Sequence, residues 1–327
     1  MKTTRTRRST GLGALLLGAS TFLAACGSGA EGENADGLTE VSVGTIPAVL
    51  SAPLFLGIEE GIFEKHGLKL EVSFADGGAA VIPSVLSGEN QFGYSNSVSQ
   101  LAALGEGLPL EIVHSSWAPH AEFEEDDHGI IVAADSGIEE PEDLEGRNIA
   151  VNTLQNIGEV HIRKAFEDLG VDHESLEWTQ LPFPDMAEAL ERGDVDAIWV
   201  SEPFRTPAMD DGGELLMSAG AQAFPEQVGG YYSTSQTYAT DNPEVVEAFQ
   251  EAMTEVNEFA TANPDLVREV SVVEMGIDED VAERMTLPLF PNDDDLEALR
   301  AYAEYSVRYG ILEEEPADLE SLFAGQD

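Results

Sequence analysis

Residues 70–97 read LEVSF-ADGGAA-VIPSVLSGEN-QFGYSNS, and the fold is decided here. Leu70, Val72 and Phe74 alternate with charged or polar neighbours, the period of a half-buried strand. Gly77-Gly78 lets the backbone turn sharply and come close to a ligand. A short helix follows, ends at Ser87-Gly88, and leads into a second strand finishing in Ser95-Asn96-Ser97. The first N–H groups of that helix have no partner within it. With the positive end of the helix dipole they make a pocket suited to an anion. Ligands of open α/β sheets lie at the carboxyl ends of strands, where this stretch places three neutral hydrogen-bonding side chains. Nothing in the arrangement requires a nucleophile, a base or a metal. It suits holding a small molecule rather than transforming one.

The pattern continues outward on both sides. Strands at 41–45 and 110–115 and helices at 53–65 and 97–106 surround it, and strands separated by helices predict βαβ units in a mainly parallel sheet. The acidic run 122–127 interrupts the alternation and marks a boundary. Glu124, Glu125, Asp126, Asp127 and His128 are consecutive and converge poorly on one ion, so the run reads as a solvated loop rather than a metal site. Beyond it come strands at 129–133, 148–151, 177–180 and 197–200, with helices at 157–169 and 184–191 and a helical turn at 141–144. Two further elements at 204–211 and 214–218 complete this set. Val85-Leu86-Ser87-Gly88-Glu89 and Leu190-Glu191-Arg192-Gly193-Asp194 each close a helix before a strand, one ending in Ser95-Asn96 and the other in Ser201-Glu202. Two similar α/β lobes facing each other follow from this echo. Residues 229–240, with Tyr231, Tyr232 and Tyr238, read as an extended return crossing. Helices at 243–262, 264–275, 279–285 and 293–309 then pack back on the first lobe. The first two open on Pro243 and Pro264, at the position where a helix tolerates proline. Lobe 1 is thus 41–117 with 229–327, and lobe 2 is 118–228.

A chain of 327 residues can build two cores. Its charge is unusual: 15 basic against 63 acidic residues, a net charge of −48. Nucleic acid and anionic lipid would be repelled by such a surface, which argues against both as binding partners. The acidity reads as a solvated coat of a salt-tolerant protein, with recognition of a cationic ligand as the alternative.

The first 25 residues have the form of an export signal. Lys2, Arg5, Arg7 and Arg8 precede an apolar run from 11 to 25 that is too short to span a membrane. The run ends in Leu23-Ala24-Ala25-Cys26-Gly27, which resembles a bacterial lipobox; the resemblance implies cleavage before Cys26 and a lipid on its sulfur. Removing residues 1–25 takes away four basic groups and no acid, leaving 11 against 63, or −52. Cys26 is the only cysteine, so no disulfide can form. Residues 26–40 are rich in Gly, Ser and acid and read as a flexible tether. The expected location is the outer face of the cytoplasmic membrane, anchored by lipid.

Four segments, in order, carry a family likeness. They are Ala52-Pro53-Leu54-Phe55-Leu56 with Glu60-Gly61-Ile62-Phe63 and Gly67-Leu68; Gly77-Gly78-Ala79-Ala80 with Ser87-Gly88; Asp143-Leu144-Glu145-Gly146-Arg147-Asn148-Ile149-Ala150-Val151; and 186–197 followed by Glu202-Pro203-Phe204. The sequence resembles the nitrate/sulfonate/taurine and thiamine-precursor group of ABC-transporter substrate-binding proteins, with the type II periplasmic-binding-protein fold. That resemblance implies an α/β molecule of two lobes with a ligand cleft between them. It also implies closure by a hinge motion and docking on an ABC importer permease driven by a cytoplasmic ATPase. It implies a monomer without cofactor or catalysis.

Within that fold, the cleft is expected to be lined by Ser51, Ala52, Gly77, Gly78, Ala79, Ser95 and Asn96, with Ser115, Ser116 and Trp117 at the crossing. Asn152, Thr153, Asn156 and Glu202 come from the second lobe, and Tyr231 or Tyr232 from the return crossing. Bland roles compete: Asn96 as a helix cap, Trp117 as inter-lobe filler, Glu202 as a brace for the loop after it, Arg205 in an ion pair. The six histidines have no metal spacing. Ligand class stays open between an anion such as a sulfonate, taurine or nitrate and a pyrimidine-like heterocycle. An enzyme on the same fold, of the menaquinone-pathway or pyrimidine-precursor synthase type, is the alternative. The synthases' cysteine-rich motif is absent, and menaquinone-pathway enzymes are usually cytoplasmic. A purely adhesive surface lipoprotein is a third class.

Overall fold

A computed structural model describes residues 37–323, apart from 294, 318 and the side chain of 321. The expected signal segment, Cys26 and the tether up to residue 36 lie outside these. Among the described residues no helix is long and apolar enough to cross a membrane.

The first half runs β1 (Thr39–Thr45), α1 (Ala52–Glu59), α2 (Ile62–Lys65), β2 (Leu68–Phe74), α3 (Gly78–Ser87), β3 (Phe92–Asn96), α4 (Ser97–Gly105) and β4 (Leu110–Trp117). Next come β5 (His128–Ala133), β6 (Asn148–Val151), α5 (Ile157–Leu169), β7 (Glu177–Gln180), α6 (Phe183–Glu191), β8 (Ala197–Ser201), α7 (Arg205–Asp210), β9 (Gly213–Met217) and α8 (Ala219–Ala223). Then β10 (Gly230–Ser235) leads to α9 (Gln236–Asp241), α10 (Pro243–Ala262), α11 (Pro264–Met275), α12 (Glu279–Arg284) and α13 (Leu296–Arg308).

Two five-stranded sheets result, ordered β2-β1-β3-β10-β4 and β7-β6-β8-β5-β9. In each, four strands point one way and the strand in fourth place is reversed. β10 is antiparallel to β3 and β4, and β5 to β8 and β9, while the remaining pairs are parallel. The α/β expectation with mainly parallel strands holds in both sheets. The return segment is strand only to Ser235. Its side chain accepts from the Tyr238 N–H and starts α9, so Tyr238 lies in a helix and not in an extended crossing.

The long helix expected at 53–65 is broken at Gly61, whose φ of +65° lies in the left-handed region that other residues avoid. Helix α10 buries Val246, Phe249, Met253 and Val256, spaced three or four apart along one face. Phe249 stacks on Phe92 of β3 with centroids 4.0 Å apart. Each such side chain removed from water contributes about 1.5–3 kcal/mol, so this face fixes the helix on the first sheet.

The acidic run is only half solvated. Residues 121–125 are exposed, but Asp126, Asp127 and His128 are buried, correcting the solvated-loop expectation. The reason is that β5 begins at His128, opposite Ser201, and draws the end of the run inside. The returning helices also reach the second sheet's elements. Arg284 of α12 makes a two-armed pair with Asp210 of α7 at 2.8 and 2.6 Å. Arg308 and Tyr309 both bond to Glu167 of α5 at 2.8 and 2.7 Å.

Candidate functional site

The two sheets approach each other along the ends of β1, β2, β3 and β4 on one side and β6, β8 and the start of β5 on the other. The Val49 N–H, just after β1, donates to the carbonyl of Glu202, just after β8, at 3.2 Å. A methyl group placed on Gly77 would lie 3.3 Å from Thr153 Oγ1 and 3.9 Å from Asn152 Nδ2. Asn156 Nδ2 donates to Ser99 Oγ at 2.8 Å. These contacts bring together the sequence segments singled out around Gly77, Ser95 and Asn152.

Glycine at 78 has a steric cause. A Cβ there would meet Ser95 Oγ at 2.9 Å and the Asn96 nitrogen at 3.1 Å, so only glycine lets α3 start against the end of β3. Ala79, next along, is exposed. Asn96 caps α4, its Oδ1 accepting from the Ser99 N–H at 3.0 Å, and Asn156 caps α5 through Ile157 N at 2.8 Å. Asn152 and Thr153 are half-buried at the end of β6.

Other expected residues are occupied in holding the structure. Ser51 exchanges a 2.6 Å hydrogen bond with Thr45 and donates to the Ile46 carbonyl. Ala52 packs with Leu56 and Val267 in the contact between α1 and α11. Glu202 accepts from the N–H and hydroxyl of Thr206 at 3.1 and 2.7 Å, bracing α7. Burial pushes its carboxyl above the usual range, against those two bonds. Tyr231 donates to the Asp295 carbonyl and sets its ring edge-on to Phe323, while Tyr232, on the other face of β10, packs on Tyr94 and Phe249. Ser115 donates to the Pro291 carbonyl. Arg205 is buried and donates to the Asp126 carbonyl and to the Thr286 hydroxyl, neutral acceptors rather than an ion-pair partner.

Trp117 holds the centre. Its Nε1 donates to the Tyr94 hydroxyl at 2.8 Å, and its ring stacks on His128 with centroids 4.8 Å apart and 23° between planes. Trp199 covers the opposite face of the same imidazole at 4.9 Å and 28°. His128 Nδ1 is bonded to Asp127 Oδ1 at 2.9 Å. Burial lowers the basicity of His128, but the charge and hydrogen bond of Asp127, with Asp126 beyond, more than restore it and leave it raised. His161, buried against both indoles, is depressed to about 3 by burial and by His128, and stays neutral. Asp126 bonds to the Ser218 hydroxyl and to the His120 N–H; burial and the neighbouring Asp127 push it up to about 6. Asp126, Asp127 and His128 are also an acid–histidine group compact enough for a cation, with ligand atoms within 4.8 Å of one another. An ion there would have to displace the bonds just named.

Several buried polar atoms around this centre lack a hydrogen-bond partner: Ser95 Oγ, Trp199 Nε1, Ser201 Oγ and Asp127 Oδ2. A buried group left this way costs about 1–3 kcal/mol. Sequence reasoning missed His128 and Trp199. The available signal was the alternation of Trp199 and Ser201 on β8, which puts both on one face with His128 opposite.

Two α/β sheets, each with one reversed strand, meeting along their strand ends, define the periplasmic-binding-protein fold. The chain belongs to the NMT1/THI5-like family, whose profile matches residues 49–266. It is 26% identical over 199 residues to the taurine-binding periplasmic protein of Escherichia coli K12, covering 58% of this chain. The match spans 57% of the length of that relative. The crystal structure of the periplasmic aliphatic sulphonate-binding protein of Escherichia coli superposes with a TM-score of 0.71 at 17% identity, covering 87% of this chain and 91% of that one. The periplasmic nitrate-binding protein of Synechocystis PCC 6803 gives 0.70 at 14% identity, covering 87% and 84%.

Proposed function

We propose that this protein is an extracytoplasmic solute-binding protein that captures a small polar molecule between two lobes and delivers it to an ABC importer. The observation that carries the reading is the row of buried, unpartnered hydroxyl and indole groups between the two sheets, flanked by the α3 start at Gly78 and by Asn152 and Thr153. Such groups are costly unless a ligand completes them. Membership of the NMT1/THI5-like family and the likeness to taurine-, sulphonate- and nitrate-binding proteins support it. Those relatives are binding proteins, which favours a protein that catalyses nothing.

The finer parts follow from this reading. Residues 41–117 with 229–327 form one lobe and 118–228 the other, closing on the ligand as hinged bodies. Gly77, Gly78, Ala79, Ser95, Asn96, Ser116, Asn152, Thr153 and Asn156 contribute the cleft, with Ser51, Ala52, Trp117, Glu202 and Tyr231 supporting its walls. Export, a lipid on Cys26, a monomeric state and docking on a permease complete the proposal. The test is a melting series on purified, refolded protein against alkanesulfonates, taurine, nitrate and aminopyrimidines. A true ligand at a hundred times its Kd stabilises by about 2.7 kcal/mol. That shift should vanish in Gly78→Asp, whose Cβ would press on Ser95 and the Asn96 nitrogen and push the α3 start away from the end of β3, provided that the variant still melts cooperatively. No shift with any compound, on a folded sample, rejects the reading.

A further inference from the structure

We propose, resting on that solute-binding reading, that His128 is the cation of the site. Held from behind by Asp127 and between two indole rings, it presents its Nε2–H to an anionic, acceptor-rich head group of the ligand.

The geometry leaves His128 one free direction. Trp117 and Trp199 cover its two faces, and Asp127 takes Nδ1. Nε2 has no hydrogen-bond partner among the described residues. The carboxylate on Nδ1 fixes the tautomer and supports the charged form. Two indoles stacked on an imidazolium attract it through their π faces, most strongly where water is excluded. A ring serving only as filler between two tryptophans would not need a buried carboxylate beside it.

The surroundings call for an acceptor. Ser201 lies directly opposite His128 in the β5–β8 pairing, on the same face as Trp199. Ser201 Oγ and Trp199 Nε1 are buried without partners, and so is Ser95 Oγ. An indole N–H can only donate, and hydroxyls can do so. The unpartnered acceptor, Asp127 Oδ2, belongs to the carboxylate that already serves His128. A sulfonate, carboxylate or nitrate offers the acceptor oxygens this set lacks.

No other cation among the described residues competes for the role. Every Lys and Arg beyond residue 26 except Arg205 is in an ion pair with Asp or Glu. Arg205 serves the neighbouring face of β5, where a methyl on Gly129 would touch its Nε at 3.4 Å, and strands alternate faces residue by residue. The charged groups that act on His128 are Asp127 and Asp126, with Arg205 acting from the other face of the strand and neutral His161 across the indoles.

The test titrates ethanesulfonate and nitrate as anionic probes, and an aminopyrimidine as an uncharged one, into wild type and His128→Gln at pH 6. Anion affinity should fall at least tenfold in His128→Gln. In wild type alone, the His128 Nε2–H resonance should shift on saturation with anion, a readout that does not depend on the variant folding. Equal anion affinity in folded His128→Gln, or an unmoved Nε2–H resonance with anion bound, makes His128 a structural filler and overturns the inference. Binding of the aminopyrimidine but of neither anion overturns it too, while leaving the solute-binding reading intact. Failure of all three probes rejects both.

Discussion

The two sheet edges that meet at the site are made of opposite materials. The first sheet brings Gly77, Gly78, Ser95 and Asn96, small groups that expose backbone and let α3 and α4 begin close to a ligand. The second brings Asn152, Thr153, Asp127, His128, Trp199 and Glu202, larger side chains that carry the charge and the aromatic bulk. One side offers shape and the other offers electrostatics. Apart from Trp117, which reaches across to His128, the first edge works through what does not project from it, so substitutions at Gly77 and Gly78 fail by filling space. The second works through what projects from it, so substitutions there fail by removing contacts or charge.

Breaking the second edge should cost most. Trp199 is buried against His128, His161, Phe183 and Gly158. Trp199→Ala should destabilise by about 3–5 kcal/mol, read from the denaturation midpoint. A smaller value, with the β5–β8 pairing intact, would mean that the indole is less committed to packing than its burial implies.

The next effect separates charge from shape. The Asp126 carboxyl, ordinarily at 3.8, is pushed up to about 6 by burial and by Asp127. The folded state therefore binds its proton more tightly than the unfolded chain. This contribution favours folding below about pH 4, and is lost as pH rises through 6. An amide in its place keeps the partners without the charge. The stability of Asp126→Asn relative to wild type should therefore rise by about 2 kcal/mol between pH 4 and pH 7, measured by denaturant titration at each pH. A flat difference would show that Asp126 does not titrate in that window.

The smallest effect lies where the two edges touch. Asn156 caps α5 and donates to Ser99 across the gap. Asn156→Ala should cost about 1 kcal/mol from the lost cap, and Ser99→Ala, which leaves that cap in place, should cost less. An equal loss in both would place the energy in the cross-sheet bond and not in the helix end.

Periodic signals made much of this legible. The helices at 157–169, 243–262 and 264–275 and the strands at 148–151 and 177–180 end where the alternation and the prolines put them. The helix-start glycine and the Asn caps were equally local. Elsewhere the tertiary structure turned a residue of the expected type to a different use. Tyr231 points toward Asp295 and Phe323, and Glu202 braces Thr206. Asp126, Asp127 and His128 read as surface because acidic neighbours dominate a window of sequence. They are inside because β5 starts at His128 and pairs with β8.

By itself the sequence determined the α/β class, the two repeating sets of elements and the turns that expose small groups at strand ends. Each of these depends on residues within a few positions of one another, where backbone preference and hydrophobic period act directly. Only the tertiary structure decided that Trp117 from the first sheet and Trp199 from the second close on His128. The three come from separate strands, and long-range pairing, not any local pattern, sets the distances between them.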